Sequence, residues 1–411
     1  QRLIPRYRCR LGHLKTARAH ALLSDPNDPE LPQRYEPVRR LGRGGGGEVW
    51  AVRDRATGRT YALKLLAEEA SEREMAALVR EAVALSGLEG LGVPRVIRFG
   101  RLANSGRAYL VREVVEGDSL ETLLSRRGNA RAALESLARA ADQLTVLHRA
   151  GLLHGDVKPA NIIVEPSGAV VFVDLGLAAP WREGGALAEG LTPRYAAPEL
   201  FEGKPITVRA EVFALGVMLA EIVEADGLGL EPAVRSQLNA VAERAMARAP
   251  EERFPSVDEL ASEVRRALGL PGHDALGAAS SVLWPVSGID GVSSQMLEAA
   301  QALEPGTVLR IEGPPGSGRS ALVRRLAWWL GMLGKAVAWI DDATSTATVK
   351  GELSANSNWG GTFVLVDDAD GLDEEAFAAV QGALEKGARL VAVGGARFDG
   401  ARVFTIPALA E

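Results

Sequence analysis

The pattern of apolar positions in residues 35–268 changes from short alternating runs to longer repeats of helical period. Alternating runs rich in β-branched residues predict strands at 35–41, 49–53, 61–66, 93–100 and 108–113. Helical periodicity predicts helices at 71–88, 120–124, 132–149 and 213–224. Two further apolar runs, 162–164 and 170–173, flank a Pro-Ser-Gly turn and predict a hairpin. Strands followed by helices are typical of an α+β fold.

The C-terminal part has a different pattern, in which strands and helices alternate. A Gly/Ala/Ser-rich stretch precedes it and predicts a linker with a helix at 294–303. Strands are then predicted at 307–311, 336–340, 363–366 and 389–393, with a helix at 321–333. This alternation predicts an α/β domain with a parallel sheet.

Composition adds constraints on the class of protein. With 411 residues, the chain suits two or three domains, and its 47% hydrophobic and 24% charged residues are typical of a soluble globular protein. A net charge of -6 gives no reason to expect a nucleic-acid partner. No apolar run reaches the roughly 18 residues of a membrane helix, so no membrane partner is expected. The single cysteine, Cys9, excludes an internal disulfide and fits a reducing, cytoplasmic compartment.

The predicted hairpin holds four polar residues near one another: Asp156, Lys158, Asn161 and Asp174. Phosphoryl transfer needs a carboxylate to orient the attacking hydroxyl, a cation near the moving group and oxygen ligands for Mg²⁺. Asp156 suits the first role and Lys158 the second. Asn161 and Asp174 suit the metal. The alternative is that these are ordinary turn acids and a solvated lysine.

Residues 154–161, together with Asp174-Leu175-Gly176 and Ala197-Pro198-Glu199, resemble the catalytic loop, the metal motif and the end of the activation segment of protein kinases. The resemblance implies a bilobal α+β kinase fold that uses ATP and Mg²⁺. Thr192 matches the family threonine that braces Asp156 and Lys158. With Lys158, it implies a non-specific serine/threonine protein kinase.

The same resemblance implies an ATP site. Gly42, Gly44 and Gly47 match the spacing of the kinase Gly-rich loop. A dinucleotide fold also uses this spacing, but there the loop opens a helix, whereas here it leads into a strand. The further ATP-binding residues that the resemblance implies are Lys64 with its helix partner Glu81 (Glu74 is the second choice), the hinge residues Glu113 and Val115, and Val49, Ala62 and Ile163 around adenine.

Several positions depart from the family pattern. Gly155 replaces the arginine that usually precedes the catalytic aspartate, and residues 177–190 contain no Ser, Thr or Tyr. We therefore expect no switch by phosphorylation of the activation segment. Glu211 replaces an aspartate, and Arg112 replaces an apolar residue, which either narrows the ATP site or supplies an ion-pair partner. Arg253 is expected to form a buried ion pair with Glu199.

Residues 313–320 resemble a P-loop between a strand and a helix, with Gly313, Gly316, Gly318, Arg319 and Ser320 at its defining positions. Its lysine is replaced by Arg319, which keeps the charge but not the compact ammonium. Ser320 suits Mg²⁺.

Residues 363–368 resemble a Walker B strand, from which Asp367 would hold the metal through water. Arg397 is either a γ-phosphate sensor or a surface arginine. The region resembles the signal-transduction and AAA-type ATPases, and we expect nucleotide binding rather than turnover.

These observations predict four segments: an appendage with a linker (1–34), a protein kinase domain (35–268), a linker with a lead-in helix (269–305) and a P-loop NTPase domain (306–411). Cys9 and His13 in the appendage are either half of a zinc ribbon or a lone thiol beside an unrelated histidine; zinc needs four ligands.

The expected partners are a protein substrate, ATP at one or two sites, and further copies of the chain through the P-loop region. Two alternatives remain beside an active kinase. One is a nucleotide-binding scaffold that signals by shape, and the other is a switch ATPase with the kinase as its regulated output.

Overall fold

The computed structural model describes residues 31–44, 47–88, 91–102, 104–126, 130–181, 190–225, 230–272, 289–314, 316–341, 344, 346–354 and 359–407. The predictions for Cys9 and His13 lie outside these residues, as do residues 182–189 of the activation segment. The described chain forms two compact units. The first runs to Leu78 and includes Pro94–Val115; the second comprises Val79–Val93 and the chain from Glu116 onward.

The first unit is built on one antiparallel sheet of five strands in the order β1-β2-β3-β5-β4. The strands are β1 (Tyr35–Gly44), β2 (Gly47–Asp54), β3 (Thr60–Leu66), β4 (Val96–Arg101) and β5 (Ala108–Glu113). Buried side chains such as Tyr35, Val52 and Leu63 form its core. All five predicted strands are confirmed. β1 and β2 are longer than predicted, because pairing continues to Gly44 opposite Gly47.

Helix α1 (Glu72–Gly87) belongs to both units, because its residues from Val79 onward lie in the second. Its first turn is closed by a capping box. The Glu74 carboxylate accepts hydrogen bonds from the amide and hydroxyl of Ser71, both at 2.8 Å, and the Glu74 amide donates back to the Ser71 hydroxyl at 3.3 Å. Glu74, the second choice for the partner of Lys64, therefore caps the helix.

The second unit begins with a helical region that contains two small antiparallel sheets, β6-β8-β9 and β7-β10. Its helices are α2 (Leu120–Ser125), α3 (Ala130–Arg149), α4 (Pro198–Phe201), α5 (Val208–Glu224), α6 (Pro232–Ala245) and α7 (Val257–Leu268). Its strands are β6 (Asp118–Ser119), β7 (Leu152–Leu153), β8 (Ile162–Val164), β9 (Val170–Phe172) and β10 (Ala179–Pro180). The predicted hairpin is β8–β9.

A bidentate ion pair fixes the end of the activation segment in this region. The two terminal nitrogens of Arg253 each donate to one carboxylate oxygen of Glu199 at 2.7 Å, and both residues are buried. The predicted pair is confirmed. Because the fork of Arg253 also donates to three backbone carbonyls, the buried charge is surrounded by acceptors.

The C-terminal part of the second unit is a parallel sheet of five strands in the order β12-β13-β14-β11-β15. The strands are β11 (Val308–Glu312), β12 (Ala336–Ile340), β13 (Thr362–Val366), β14 (Arg389–Val393) and β15 (Arg402–Thr405). The helices are α8 (Ile289–Gln301), α9 (Arg319–Met332), α10 (Thr346–Ser354) and α11 (Glu374–Glu385). The predicted fold class, a kinase-type α+β region followed by a parallel α/β region, is confirmed.

The edge strand β15 was not predicted. Its side chains are mostly exposed, so it lacks the apolar run that marks a buried strand. In the part of the chain that the structure describes, no helix has the length and apolar character needed to cross a membrane.

Candidate active site

Asp156 lies at the centre of a hydrogen-bonded group. Lys158 Nζ donates to Asp156 Oδ2 at 2.5 Å, and Thr192 Oγ1 donates to Asp156 Oδ1 at 2.6 Å. Lys158 also donates to Thr192 Oγ1 at 3.2 Å. Asn161 Nδ2 donates to the backbone oxygen of Asp156 at 2.9 Å and lies 3.2 Å from Oδ2. Three of the four residues predicted to lie near one another, Asp156, Lys158 and Asn161, are thus in contact, and Thr192 holds the same carboxylate.

The β8–β9 hairpin joins this group to Asp174. A 3₁₀ turn, Pro159–Asn161, leads into β8, and the amide of Val173 donates to the carbonyl of Asn161 at 2.9 Å. Asp174 follows with a left-handed backbone, φ 63°. Among the described non-glycine residues, only Asp174 and Asp368 have positive φ. Such conformations cost energy and concentrate at functional sites.

Glu211 supports the backbone of the catalytic loop. Its Oε1 accepts a hydrogen bond from the Gly155 amide at 2.7 Å, and its Oε2 lies 2.5 Å from His148 Nε2. The residue is buried at the start of α5. The acid that departs from the family pattern therefore reaches the loop and holds it.

His154 is a site residue to which the sequence analysis gave no role. Its Nδ1 accepts a hydrogen bond from the Asp156 amide at 3.3 Å, and its ring packs on Phe172 at 4.9 Å between centroids. Burial lowers the pKa of His154, while the nearby carboxylates, Glu211 first, oppose the shift. The imidazole is therefore neutral near pH 7. Its position directly after the apolar run at 152–153 was the signal that it is buried.

Hard oxygen donors are available for Mg²⁺ beside Asp156. Asn161 uses its amide nitrogen toward Asp156, so its amide oxygen remains for a metal. Asp174, with its carboxylate, comes two residues after the end of β9. Over the described ranges, no three His, Cys, Asp or Glu side chains form a metal-binding group. An amide and a carboxylate nevertheless fit Mg²⁺, which usually takes one or two protein ligands and completes its shell with phosphates and water.

The candidate ATP residues of the first unit lie on neighbouring strands. Gly42 is opposite Val49, and Val49 is opposite Lys64. Gly47 has φ 142°, and a Cβ there would lie 2.1 Å from the carbonyl oxygen of Leu65, so only glycine fits. Gly44 is its partner in register.

The other candidate ATP-binding residues lie on β3 and β5, just after β5, and in the second unit. Ala62 is buried and faces Arg112 in register, so the two side chains lie on the same face of the sheet. Glu113 pairs with Arg95 through Oε1 and Nε at 3.0 Å, and its backbone amide donates to the Arg95 carbonyl at 2.9 Å. Val115 follows β5. In the second unit, Glu81 is fully buried on α1, and Ile163 lies in β8.

A second group of candidate residues surrounds the start of α9. Gly316 and Gly318 have φ near 80° (81° and 80°), and Gly318 is the residue before the helix. Arg319 and Ser320 form the first turn, whose amides suit a phosphate. The buried hydroxyl of Ser317 has no hydrogen-bond partner among the described residues, which also fits a phosphate.

Gly313 and Asp367, at the edges of this group, each have a close neighbour. A Cβ on Gly313 would lie 2.7 Å from Ser317 Oγ. Asp367 follows β13, with its Oδ2 3.7 Å from Nη2 of Arg324 on α9. Arg397 stacks on Phe377, with its guanidinium carbon 4.0 Å from the ring centroid.

Arg397 also donates to Glu374 at 2.9 Å and to the Leu372 carbonyl at 3.2 Å. These contacts favour the alternative of a surface arginine.

Comparison with known proteins separates the chain into two matches. Residues 35–268 match the protein kinase domain family, and residues 275–399 match the family described as Novel STAND NTPase 5. Among similar curated proteins, serine/threonine-protein kinase PknA of Mycobacterium tuberculosis is 36% identical over 205 residues, 47% of each chain. PknH of Mycobacterium bovis is 30% identical over 286 residues, which is 61% of this chain and 47% of the relative.

A third relative, serine/threonine-protein kinase PknD of Mycobacterium tuberculosis, is 31% identical over 272 residues, or 59% of this chain and 40% of the relative. The chain thus spans about half the length of the curated relatives that it matches.

Proposed function

Because this chain belongs to the protein kinase family and carries a STAND NTPase domain, we propose that it is an active serine/threonine protein kinase. It transfers the γ-phosphoryl group of Mg·ATP to a serine or threonine hydroxyl of a protein. The observation that carries this proposal is the bonded group around Asp156, in which Lys158, Thr192 and Asn161 all contact one residue. A protein that only signals by shape needs no such group.

Each member of the group has a part in the transfer. Asp156 orients the substrate hydroxyl and accepts its proton as the oxygen attacks phosphorus. Thr192 and Lys158 each hold one oxygen of Asp156, so the carboxylate is oriented before substrate arrives. Lys158 also brings positive charge to the transferring group. Magnesium, held by Asn161 and Asp174, would neutralise charge on the phosphates.

The remaining candidate residues bind ATP. Lys64, with Glu81 as its helix partner, contacts the α- and β-phosphates, and the Gly-rich loop covers them. The backbone carbonyl of Glu113 and the backbone of Val115 bind adenine between the apolar side chains of Val49, Ala62 and Ile163. The glycines of the Gly-rich loop are Gly42, Gly44 and Gly47. The register of Gly42, Val49 and Lys64 on adjacent strands of the first unit supports this assignment.

The P-loop region binds a nucleotide rather than hydrolysing it. Gly313, Gly316 and Gly318 shape the loop, and Ser320 and Asp367 are the residues for a metal. Two observations support binding without turnover. Arg319 replaces the usual lysine, and Asp367 already faces the guanidinium of Arg324.

Activity is independent of phosphorylation in the activation segment. Residues 177–190 offer no hydroxyl acceptor, and Gly155 replaces the arginine that would bind such a phosphate. Phosphatase treatment of the purified chain is therefore expected to leave its kinase activity unchanged. A loss of activity that maps to a phosphate in this segment would contradict the proposal.

The test of the main proposal is transfer of labelled γ-phosphate from ATP to a generic protein acceptor. Wild type and Arg319→Ala are expected to transfer label, whereas Asp174→Asn, which keeps the shape of the side chain, loses transfer. Absence of transfer in all three, with ATP binding intact, would favour the scaffold instead. Loss of label transfer in Arg319→Ala alone would favour the switch ATPase, in which the P-loop region controls the kinase.

A further inference from the structure

The P-loop helix α9 packs against the kinase region of the second unit. Its N-terminal turn contains Arg319 and Ser320, and its C-terminal half contains the buried side chains of Trp328, Trp329 and Met332. About ten residues of helix, or roughly 15 Å of axis at 1.5 Å per residue, separate the two ends. One rigid element therefore carries a candidate phosphate site at one end and an interface at the other.

The first contact of this interface is with α1, the helix that bears Glu81. Trp328 Nε1 donates to the carbonyl of Val83 at 3.1 Å, and Arg80 Nε donates to the carbonyl of Met332 at 3.3 Å. The indole of Trp328 lies so close to Gly87 that a Cβ there would come within 2.2 Å of its Nε1. Close packing of this kind positions one helix against the other.

The second contact is with the base of the catalytic loop. Trp329 Nε1 donates at 3.1 Å to the carbonyl of Gly151, which also accepts the amide of Trp181 at 2.8 Å. Gly151 directly precedes β7, which leads to His154 and Asp156. Arg325 stacks on Trp329 with its guanidinium carbon 4.8 Å from the ring centroid.

Arg80 connects the same helix to the metal motif. It donates through Nη1 to the carbonyl of Gly176 at 2.8 Å and through Nε to Met332 of α9. Gly176 lies two residues after Asp174. The C-terminal end of α9 therefore shares one arginine with the turn that holds Asp174, and Trp329 holds the strand that leads to Asp156.

We propose that α9 couples the two nucleotide sites: a nucleotide bound at the P-loop stabilises the packing of α9 and thereby raises the rate of phosphoryl transfer. The physical basis is that phosphate at a helix N-terminus stabilises that helix, and that α9 packs on both motifs of the catalytic site. This inference rests on the proposed kinase function.

Coupling has to be reciprocal, which makes it testable by binding alone. A change that loosens the interface on the kinase side must weaken nucleotide binding at the P-loop. An interface that only holds the chain together has no such effect. Couplings between sites are typically about 5- to 150-fold in affinity, so a measurable change is expected.

The test uses Gly87→Ala in the 411-residue chain. Alanine favours a helix, so α1 itself is not weakened, but its methyl group meets the indole of Trp328. The matched control is Gly382→Ala in α11, where an added Cβ has nothing within 4 Å. A second variant, Trp328→Leu, removes the hydrogen bond to Val83 without a wedge.

Binding of a fluorescent ADP analogue is titrated in each chain, and the component that Arg319→Ala removes is assigned to the P-loop. Gly87→Ala and Trp328→Leu are expected to weaken this component about 10-fold, and Gly382→Ala to change it less than about two-fold. The coupling would be overturned if both interface variants bound nucleotide at the P-loop as tightly as wild type. It would also be overturned if the binding isotherm of Arg319→Ala lacked none of the wild-type components.

Kinetics then separates this proposal from the proposed kinase function. Gly87→Ala and Arg319→Ala should each lower kcat by a larger factor than the factor by which they change KM. The kcat of the double variant should be no lower than that of Gly87→Ala alone. Additive losses would contradict the coupling while leaving the kinase function in place. If the interface variants weaken P-loop binding while the wild-type chain transfers no phosphate, the kinase function is refuted and the coupling between the interface and the P-loop stands.

Discussion

Replacing Gly155 by the arginine that usually precedes the catalytic aspartate in kinases is expected to destabilise the chain at the catalytic loop. Gly155 has φ 83°, and a Cβ there would lie 2.0 Å from the carbonyl oxygen of Leu177. The added atom cannot be accommodated by moving a flexible side chain, because it meets the backbone. The backbone at Gly155 is also held in place, since its amide donates to Glu211 at 2.7 Å.

The expected cost follows from these two features. A side chain in the left-handed region costs about 1–2 kcal/mol. Rotating the backbone to relieve the contact breaks a bond to a carboxylate, worth about 1.5–3 kcal/mol. Gly155→Arg and Gly155→Ala should therefore both lower the free energy of unfolding by about 2.5–5 kcal/mol, because the conflict arises at Cβ.

Urea unfolding followed by circular dichroism measures this change, with the midpoint converted through the slope of the transition. Gly269→Ala is the control, because Gly269 has φ 66° and nothing lies within 4 Å of an added Cβ. Only the cost of a side chain in the left-handed region, about 1–2 kcal/mol, applies there. A Gly155→Arg chain as stable as wild type would refute the reasoning. So would a Gly155→Ala chain that loses no more than Gly269→Ala.

Three further predictions concern stability. Glu199→Gln should cost about 3–5 kcal/mol in urea unfolding, because it leaves the Arg253 charge buried without its counter-ion, and the double change to methionine should recover much of the loss. Burial lowers the pKa of His154 below its ordinary 6.5. Below pH 6.5 the unfolded chain therefore takes up a proton that the folded chain does not. The free energy of unfolding should fall with falling pH, by up to about 1.4 kcal/mol per pH unit. His154→Gln should remove this contribution, and equal pH dependence in both chains would contradict it. Ser71→Ala should cost about 0.5–2 kcal/mol by opening the capping box with Glu74, and an unchanged urea midpoint would argue against that cap.

Local patterns were enough to predict much of the fold. The strands at 108–113, 336–340 and 389–393 have the predicted bounds, because each is an apolar run bounded by turn or polar residues. The group around Asp156 was predictable for a different reason. Asp156, Lys158 and Asn161 lie within a few residues of a tight hairpin, so their order in sequence nearly dictates their proximity. Thr192 is 36 positions from Asp156, and only the resemblance to protein kinases identified it.

Other features could not be predicted because they depend on distant partners. The bond from Trp328 to Val83 joins residues 245 positions apart, and no periodicity identifies such a contact. In α9, the apolar positions predict a buried helix but not what buries it. Likewise, the sequence marks Glu211 as unusual but does not reveal that its extra length reaches the Gly155 amide.

The separation between Val83 and Trp328 has a consequence for synthesis. A chain made from its N-terminus at roughly 5–20 residues per second presents the surface around Val83 and Gly87 before its cover exists. Synthesis over these 245 positions takes on the order of ten to fifty seconds at that rate. During this interval the surface around Val83 and Gly87 is exposed in the nascent kinase region. Chaperones are therefore expected to bind this surface until α9 leaves the ribosome.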